Sequence, residues 1–459
     1  MTIQATRIRT LNKLDLCKGA YVLYWMQQSQ RAEYNHALEY AIRQANQLNR
    51  PLLVVFGLTE NYPEANLRHY AFMLQGLQET QTALAARGIK MVLRHAHPPD
   101  AALELGRKAS LIVCDQGYLR HQRAWRRQVA RNAGCRVVRV ESDVVVPVAV
   151  ASAKAEYAAR TLRPKIQRHL QDYLVKLKAV RIDHSSLDLK VRGMDLDRIE
   201  ALLQRLNLDG SAAPVSRFFR GGTTQAKHRF DDFLQHGLKN YPGNHNQPQT
   251  DDVSHMSPYL HFGQVSPLYL ALEVDRVSDA DRSAKEAFLE ELIVRRELAA
   301  NFTHYTRDYD AYTCIPGWAQ ETLAAHKGDQ RVHRYPQRRL EAADTHDSYW
   351  NACMLEMKHT GFMHNHMRMY WGKKILAWSP TPRQAFRTTL AINNKYFLDG
   401  RDPNSYAGVA WIYGVHDRAW MERPIFGKVR TMTAAGLERK CDTAAYLKKV
   451  AELVKRATE

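Results

Sequence analysis

Five short apolar runs recur through the first third of the chain, and they constrain its fold more than any other feature. They are Tyr21 to Met26, Leu52 to Leu58, Lys90 to Arg94, Leu111 to Asp115 and Arg136 to Val140. Between them lie stretches with helical periodicity: Arg31 to Leu48, Ala65 to Arg87, Ala101 to Lys108 and His121 to Ala133. Strands alternating with helices predict a parallel sheet covered on both faces, because each parallel crossover must pass over the sheet. Runs as continuous as Leu52-Leu-Val-Val-Phe56 fit strands buried on both sides. No GxGxxG or GxxxxGK[ST] follows any of them. The expected domain is therefore Rossmann-like, without the glycine loop that lets a helix N-terminus hold a pyrophosphate.

After a break at Gly210-Ser-Ala-Ala-Pro214 the strand signal nearly vanishes. Helical stretches are expected at Gly222 to His236, Pro267 to Arg276, Asp281 to Asn301, Trp318 to Lys327, Asp347 to His359, Phe362 to Ala377, Pro382 to Asp399 and Thr443 to Ala457. The expected organisation is an α/β domain over residues 1–180, a linker over 181–213 and an all-α domain over 214–459. With 45% hydrophobic and 25% charged residues, the 459-residue chain has an ordinary globular composition and ample core material. Its 66 Lys and Arg against 47 Asp and Glu give a net charge of +19. That excess favours a polyanionic partner, nucleic acid before an anionic membrane surface, although an evenly solvated basic face fits the charge as well. No apolar run approaches the ~18 residues that span a bilayer, and Met1 to Thr10 lacks the apolar core of a signal peptide. Six widely separated cysteines form no CxxC pair. A cytoplasmic protein in a reducing compartment is expected.

The 20 histidines show no HExxH and no zinc-type spacing, so no metal site is expected, and no GxSxG elbow announces a nucleophile. The segment from Trp350 to Trp378 is more informative. Trp350, Met354, Met357, Gly361, His364, Arg368, Trp371, Ile375 and Trp378 follow a 3/4 spacing, the pattern of a core-facing helical seam. Arg368 inside that seam demands a carboxylate or an anionic ligand. Thr360-Gly361 reads as a helix end. An unbroken helix would hold Trp350 and Trp371 about 32 Å apart, whereas a break at Gly361 lets the chain fold back. Glu291 and Arg295 are spaced as a surface ion pair, yet Glu291 lies among Phe288, Leu292 and Leu298, as the rim of a half-buried pocket would. Val253-Ser-His-Met-Ser-Pro258 sets two hydroxyls and free amides ahead of a helix, which suits a cap or a phosphate.

Several motifs together resemble those of the class II cyclobutane pyrimidine dimer photolyases. They are Ser257-Pro-Tyr-Leu-His-Phe-Gly263, Phe288 to Phe302, Met369-Tyr-Trp-Gly-Lys-Lys374, Asp399-Gly-Arg-Asp-Pro-Asn-Ser-Tyr406, Gly408-Val-Ala-Trp411 and His416-Asp-Arg-Ala-Trp420. The resemblance runs from about residue 20 to residue 432. It implies an α/β antenna-type domain followed by a helical domain that holds a U-shaped FAD. It implies also that FADH⁻, excited by blue or near-UV light, gives an electron to a flipped-out dimer in double-stranded DNA and splits it. Tyr241, Ser254, Met256 and Ser257 match positions holding the ribityl-diphosphate region. Arg295, Asn365, Arg368, Asp399 and Arg401 match positions around the flavin and adenosine. Arg368 with Asp399 resembles an ion pair beside the flavin N5 edge, and Asn393 resembles an asparagine near N5, ahead of Asn404. Glu291 matches the carboxyl that hydrogen-bonds the damaged bases. Met369 and Trp411 resemble walls of the dimer pocket, Arg418 and Trp420 residues that enter the gap left by the lesion. Trp371, Trp350 and Trp378 match tryptophans that carry electrons to photoexcited flavin.

Three positions depart from or sharpen the pattern. Tyr24-Trp-Met-Gln-Gln-Ser-Gln30 lacks the Arg-Asp pair that ends the class II motif, which bears on whether a deazaflavin or folate antenna is held. Asn365 stands where class II chains commonly carry glycine, and Val294 where class I enzymes place a dimer-stacking tryptophan. The competing readings are a cryptochrome-like flavin photoreceptor and a non-catalytic basic DNA-binding protein. Retention of Glu291, Trp411 and Trp420 speaks against the first, and no membrane or protein partner is implied for a chain expected to be monomeric.

Overall fold

A computed structural model describes residues 3–278 and 280–459. Met1 and Thr2, which open the stretch read above for a signal segment, and Asp279 lie outside the described residues. The first part is a six-stranded sheet of β1 (Ile8–Thr10), β2 (Tyr21–Trp25), β3 (Leu52–Leu58), β4 (Lys90–His95), β5 (Ala109–Asp115) and β6 (Val137–Val140), in the order β1-β6-β5-β2-β3-β4. All neighbours are parallel except β1 on β6. β1 was not foreseen: its three residues are partly exposed, so no apolar alternation marks it.

Every residue of β2, β3 and β5 is buried, because alternate side chains enter two cores. Val22, Tyr24, Val54 and Val113 pack on one face against the helices His36–Gln47 and Leu67–Ala86. Leu23, Trp25, Val55 and Ile112 pack on the other with Pro98–Gly106 and Arg120–Asn132. Strand order reverses between β2 and β5, the point where α/β sheets usually hold a ligand. Here the chain supplies its own anion. One carboxylate oxygen of Asp115 accepts the backbone N–H groups of Gln27 (3.0 Å), Gln28 (2.9 Å) and Ser29 (3.0 Å). The turn that a glycine loop would open to a phosphate is closed from within.

The remainder is helical. Ile182, Leu196, Ile199, Leu202 and Leu206 pack back onto the sheet core, whereas Leu162, Ile166 and Tyr173 of the unforeseen helix Ala159–Tyr173 pack with Phe230, Phe288 and Leu292. Two expected helices change at one end and a third is interrupted within. The stretch from Phe362 becomes helical only at Asn365, where the side chain of His364 caps it. The stretch from Pro382 ends at Tyr396, freeing Phe397 to Asp399. The stretch from Asp281 is interrupted by a π-turn, Glu290–Arg295, between Arg282–Leu289 and Arg296–Tyr305. A second π-turn, Phe233–Gly237, follows Thr223–Asp232. The helix Pro403–Ile412 was also not foreseen.

The expected break at Gly361 is present. Ser348–Thr360 ends there with φ +74°, and Asn365–Trp378 runs back beside it. At the far end the Asp347 carboxylate receives Trp350 N–H (3.0 Å), the Tyr370 hydroxyl (2.6 Å) and the Lys374 ammonium (2.9 Å). Burial raises its pKa, but the Tyr370 and Lys374 contacts outweigh that and hold it low. A Cβ at Gly361 would lie 2.9 Å from Leu398 Cγ and would adopt the left-handed region. Gly361→Ala is therefore expected to destabilise the fold by about 2 kcal/mol, from backbone strain and overpacking. Gly134→Ala, with nothing within 4 Å of the new atom, is the control expected to leave the thermal midpoint unchanged.

Candidate active site

A cavity of about 590 Å³ opens in the helical half. Tyr241, Ser254, Met256, Ser257, Glu291, Arg295, Asn365, Arg368, Met369, Trp371, Asn393, Asp399, Asn404 and Trp411 all line it. These positions come from separate stretches of chain, and the fold brings them around one cavity. Trp350 and Trp378 do not line it; Trp350 donates its indole N–H to the Trp371 carbonyl (2.9 Å), and its ring lies 5.5 Å from that of Trp378. Arg401 does not reach it: buried, it donates to the Asn394 carbonyl (3.1 Å) and lines a second crevice with Tyr62, His69 and Tyr70. Arg418 and Trp420 lie outside the cavity on an exposed loop, where Arg430, itself a lining residue, comes within 5.0 Å of the Trp420 ring.

The partner that the tryptophan seam demanded for Arg368 is Asp399. Two parallel hydrogen bonds of 3.0 Å join guanidinium and carboxylate, a bidentate geometry that fixes both groups. The guanidinium also donates to the Met363 carbonyl (3.0 Å) and stacks 3.9 Å from the Phe397 ring centroid. Its orientation is thus settled by the protein before any ligand arrives.

Glu291 reaches the cavity because of the π-turn. An i→i+5 turn carries one extra residue, so Arg295 sits nearer Glu290 (3.2 Å) than Glu291 (3.9 Å). Glu290 also holds Arg163 at 2.7 Å. The expected Glu291–Arg295 pair is loosened and Glu291 turns to the cavity. Burial pushes its pKa up and the Glu290 charge adds to that, with Arg295 and His245 opposing. It therefore keeps a proton to higher pH than an ordinary glutamate.

Asn393 is buried and donates to Asn394 Oδ1 (2.9 Å) and Ser405 Oγ (2.6 Å). Asn404 is exposed, its backbone N–H bonded to Asp402 (2.8 Å). Of the two, Asn393 is the one the structure holds rigidly. His364 and His416 also line the cavity and were given no role from the sequence. His364 Nδ1 accepts from His366 N–H (3.2 Å), which leaves its Nε2–H without a partner; burial pushes this histidine down to about 3. His416 Nδ1–H donates to the Tyr157 carbonyl (2.8 Å), leaving Nε2 an unused acceptor. The indole N–H of Trp371 likewise has no partner. Their only sequence signal was membership of the seam or of the last motif. Among the described residues no three His, Cys, Asp or Glu side chains cluster to hold a metal ion, and no helix is long and apolar enough to cross a membrane.

A protein from Methanothermobacter thermautotrophicus named deoxyribodipyrimidine photo-lyase is 48% identical over 98% of this chain and 99% of its own. The chain belongs to the deoxyribodipyrimidine photo-lyase family. A photolyase of the same name from Arabidopsis thaliana is 38% identical over 99% of this chain and 94% of that one. The DNA photolyase family model matches residues 22–182. Among solved structures, a bacterial class III photolyase from Agrobacterium tumefaciens superposes with a TM-score of 0.73 over 95% of this chain and 87% of that one, at 17% identity, a likeness of fold.

The photolyase family binds FAD, and the lining of this cavity fits it. A prearranged cation–carboxylate pair, two serine hydroxyls and unpartnered indole and imidazole nitrogens are the donor set of a site for a polar aromatic ligand with phosphates. Arg368→Met is expected to cost about 2–3 kcal/mol, because the buried Asp399 carboxylate is left without its partner. Arg368→Met with Asp399→Leu should regain most of that stability. Thermal unfolding of the single and double variants measures the coupling.

Proposed function

We propose that this cavity holds FAD and carries out light-dependent repair of cyclobutane pyrimidine dimers in DNA. The single observation that carries the reading is the bidentate Arg368–Asp399 pair, fixed in a cavity that Glu291 and Trp411 share. Reduced FAD held by these residues would supply, on excitation, the electron needed to open the cyclobutane ring. The residues of the chain have three tasks in this. Tyr241, Ser254, Met256 and Ser257 hold the phosphate end of the cofactor. Arg368 places a fixed positive charge beside the reduced ring system, with Asp399 keeping it in place, and Asn393 presents its carboxamide from a locked position. Glu291 at the cavity mouth hydrogen-bonds a pyrimidine carbonyl as negative charge develops there, and the upward direction of its pKa favours the carboxyl form that can donate.

The dimer must leave the duplex to reach such a cavity, which is the base flipping for which photolyases are a standing example. Trp411 and Met369 form walls for the extruded bases. Arg418 and Trp420, exposed on the neighbouring loop, fill the gap left in the stack. The net charge of +19 supplies phosphate contacts, so affinity falls with salt. An antenna chromophore, deazaflavin or folate, would occupy the second crevice, where Arg401 Nε and the Gln30 and Gln116 side-chain carbonyls have no partner. At about 100 Å³ that crevice must widen to admit one.

The defining experiment is repair of an oligonucleotide with one thymine dimer under blue light and in darkness. Repair confined to the light is expected, and equal outcomes would remove the assignment. Glu291→Ala should load FAD and bind DNA normally yet lose about tenfold in repair yield, the worth of about 1.4 kcal/mol in one charge-directed hydrogen bond. Glu291→Gln, which keeps a donor at every pH, should retain more yield and remove any decline seen as Glu291 loses its proton. Trp371→Phe should lose photoreduction of oxidised FAD while the chemically reduced protein still repairs, since the repair electron never passes through this indole. A stability loss with both light reactions intact would return Trp371 to a packing role.

A further inference from the structure

Asn393 lines the cavity with a carboxamide whose two ends differ, since its NH₂ group donates and its oxygen accepts. Its N–H groups are both engaged, by Asn394 Oδ1 (2.9 Å) and Ser405 Oγ (2.6 Å), while its oxygen has no donor among the described residues. Ser405 does not decide this orientation, because a hydroxyl donates as readily as it accepts. Asn394 does. Its Oδ1 also receives the Arg401 backbone N–H at 3.1 Å, and its Nδ2 donates to a Glu64 carboxylate oxygen at 2.6 Å. A backbone N–H can only donate, so the Asn394 oxygen is fixed towards Arg401 and with it towards the Asn393 amide.

Both partners of Asn394 sit on unusual backbone. Glu64, on the exposed turn between β3 and the helix Leu67–Ala86, has φ +57°, and Arg401 has φ +68°. Residues with a Cβ rarely adopt that region, and strain of this kind persists where the surroundings hold it. Asn394 itself is fully buried. The chain after it is clasped separately by the start of the helix Leu67–Ala86. Asn66 Nδ2 donates to the Lys395 carbonyl (2.7 Å) and Arg68 Nη1 to that of Tyr396 (2.6 Å). His69, whose Nδ1 accepts the Asn66 N–H, donates from Nε2 to the Phe397 carbonyl (3.0 Å). The α/β half thus holds this segment by its backbone and Asn394 by its side chain, independently.

We propose that Asn394 is a positioning residue for the cofactor, turning the Asn393 carboxamide so that its oxygen, and not its NH₂ group, faces the cavity. This rests on the reading of that cavity as a flavin site with Asn393 beside N5. Reduced flavin carries a hydrogen on N5, whereas N5 of oxidised flavin is a bare acceptor. An oxygen held there accepts from the reduced form and repels the oxidised one. An N–H group held there would do the reverse. Asn394, which does not line the cavity, thereby raises the potential at which the bound flavin is reduced.

The test is the midpoint potential of the FAD-loaded full chain, with flavin content and thermal unfolding measured beside it. Asn393→Leu should shift the ratio of oxidised to reduced flavin at a fixed potential about tenfold towards the oxidised form, about 30 mV for a two-electron couple. Asn394→Leu should shift it in the same direction. Combined, the two should add little to either alone, because Asn394 acts only through Asn393. Asn394→Asp with Glu64→Gln keeps an acceptor towards Arg401 and Asn393, so in that background Asn393→Leu should retain its full shift. Loss of that shift overturns the proposal, whether or not Asn394→Leu folds. An Asn394→Leu potential equal to the wild type, or two leucine shifts that simply add, overturns it as well and leaves the flavin site standing. A protein that takes up no FAD, or an Asn393→Leu potential equal to the wild type, instead removes the reading of Asn393 beside N5 and this proposal with it.

Discussion

The left-handed turn at Gly361 is the constraint on which the site depends. Its carbonyl accepts the Leu398 N–H at 2.9 Å, one residue before Asp399. That bond fixes where the chain leaves the helix Pro382–Tyr396, and so where the Asp399 carboxylate meets Arg368. The same turn sends Asn365–Trp378 back along Ser348–Thr360, which brings Trp350 against the backbone of Trp371 and the ring of Trp378. No Cβ fits between Gly361, Leu398 and Val215, so the close approach and the positive φ both call for glycine. One residue without a side chain therefore sets the ion pair and the tryptophan geometry together.

Much of this was legible in the sequence because it is written in side-chain periodicity. The interior strands are apolar on both faces, and the tryptophan seam runs at a helical spacing broken by a glycine. The demand of Arg368 for a carboxylate was a matter of charge burial alone. What escaped was carried by backbone geometry or by length. β1 is too short to alternate. The π-turn at Glu290–Arg295 shifts the register of a continuous helix by one residue, and nothing in the pattern of Phe288 to Phe302 records that shift. Yet it decides that Arg295 pairs with Glu290 and that Glu291 is turned to the cavity. The unpartnered nitrogens of His364 and His416 were equally hidden, since they follow from which ring atom the neighbouring backbone engages.

The two halves of the chain meet through buried polar contacts as well as through an apolar core, in which Phe72, Val145 and Val146 join Phe262 and Phe288. Glu297 on the helical side accepts the Val146 N–H at 3.2 Å, next to the segment whose Val144 carbonyl Arg7 holds at 3.1 Å. Arg31 bridges Asp143 (2.7 Å) and the Gly263 carbonyl (2.9 Å). Gly263 itself approaches the Gln28 carbonyl so closely that a Cβ would lie 2.0 Å from it. Breaking any one of these would strand a buried charge or carbonyl, a cost of roughly 1–5 kcal/mol, whereas an apolar contact could slip. Directional bonds of this kind hold a relative orientation.

That rigidity bears on what each half can bind. In the sheet half, the turn after β2 is filled by Asp115, and the crevice above it is narrow and lined by side chains already packed against the helical half. A phosphate has no free amides to take there. In the helical half the arrangement is inverted. Asp399 fixes the Arg368 guanidinium, and Ser254 and Ser257 line the same cavity. On the proposed function, the parallel sheet that would bind a nucleotide in many α/β proteins is here a scaffold, and the anion-binding chemistry lies among the helices. This division explains why a chain whose first third looks like a nucleotide-binding fold lacks the glycine signature of one. On the proposed function, the phosphates of the cofactor lie beside Ser254 and Ser257, and those of the substrate beside the loop that carries Arg418 and Arg430.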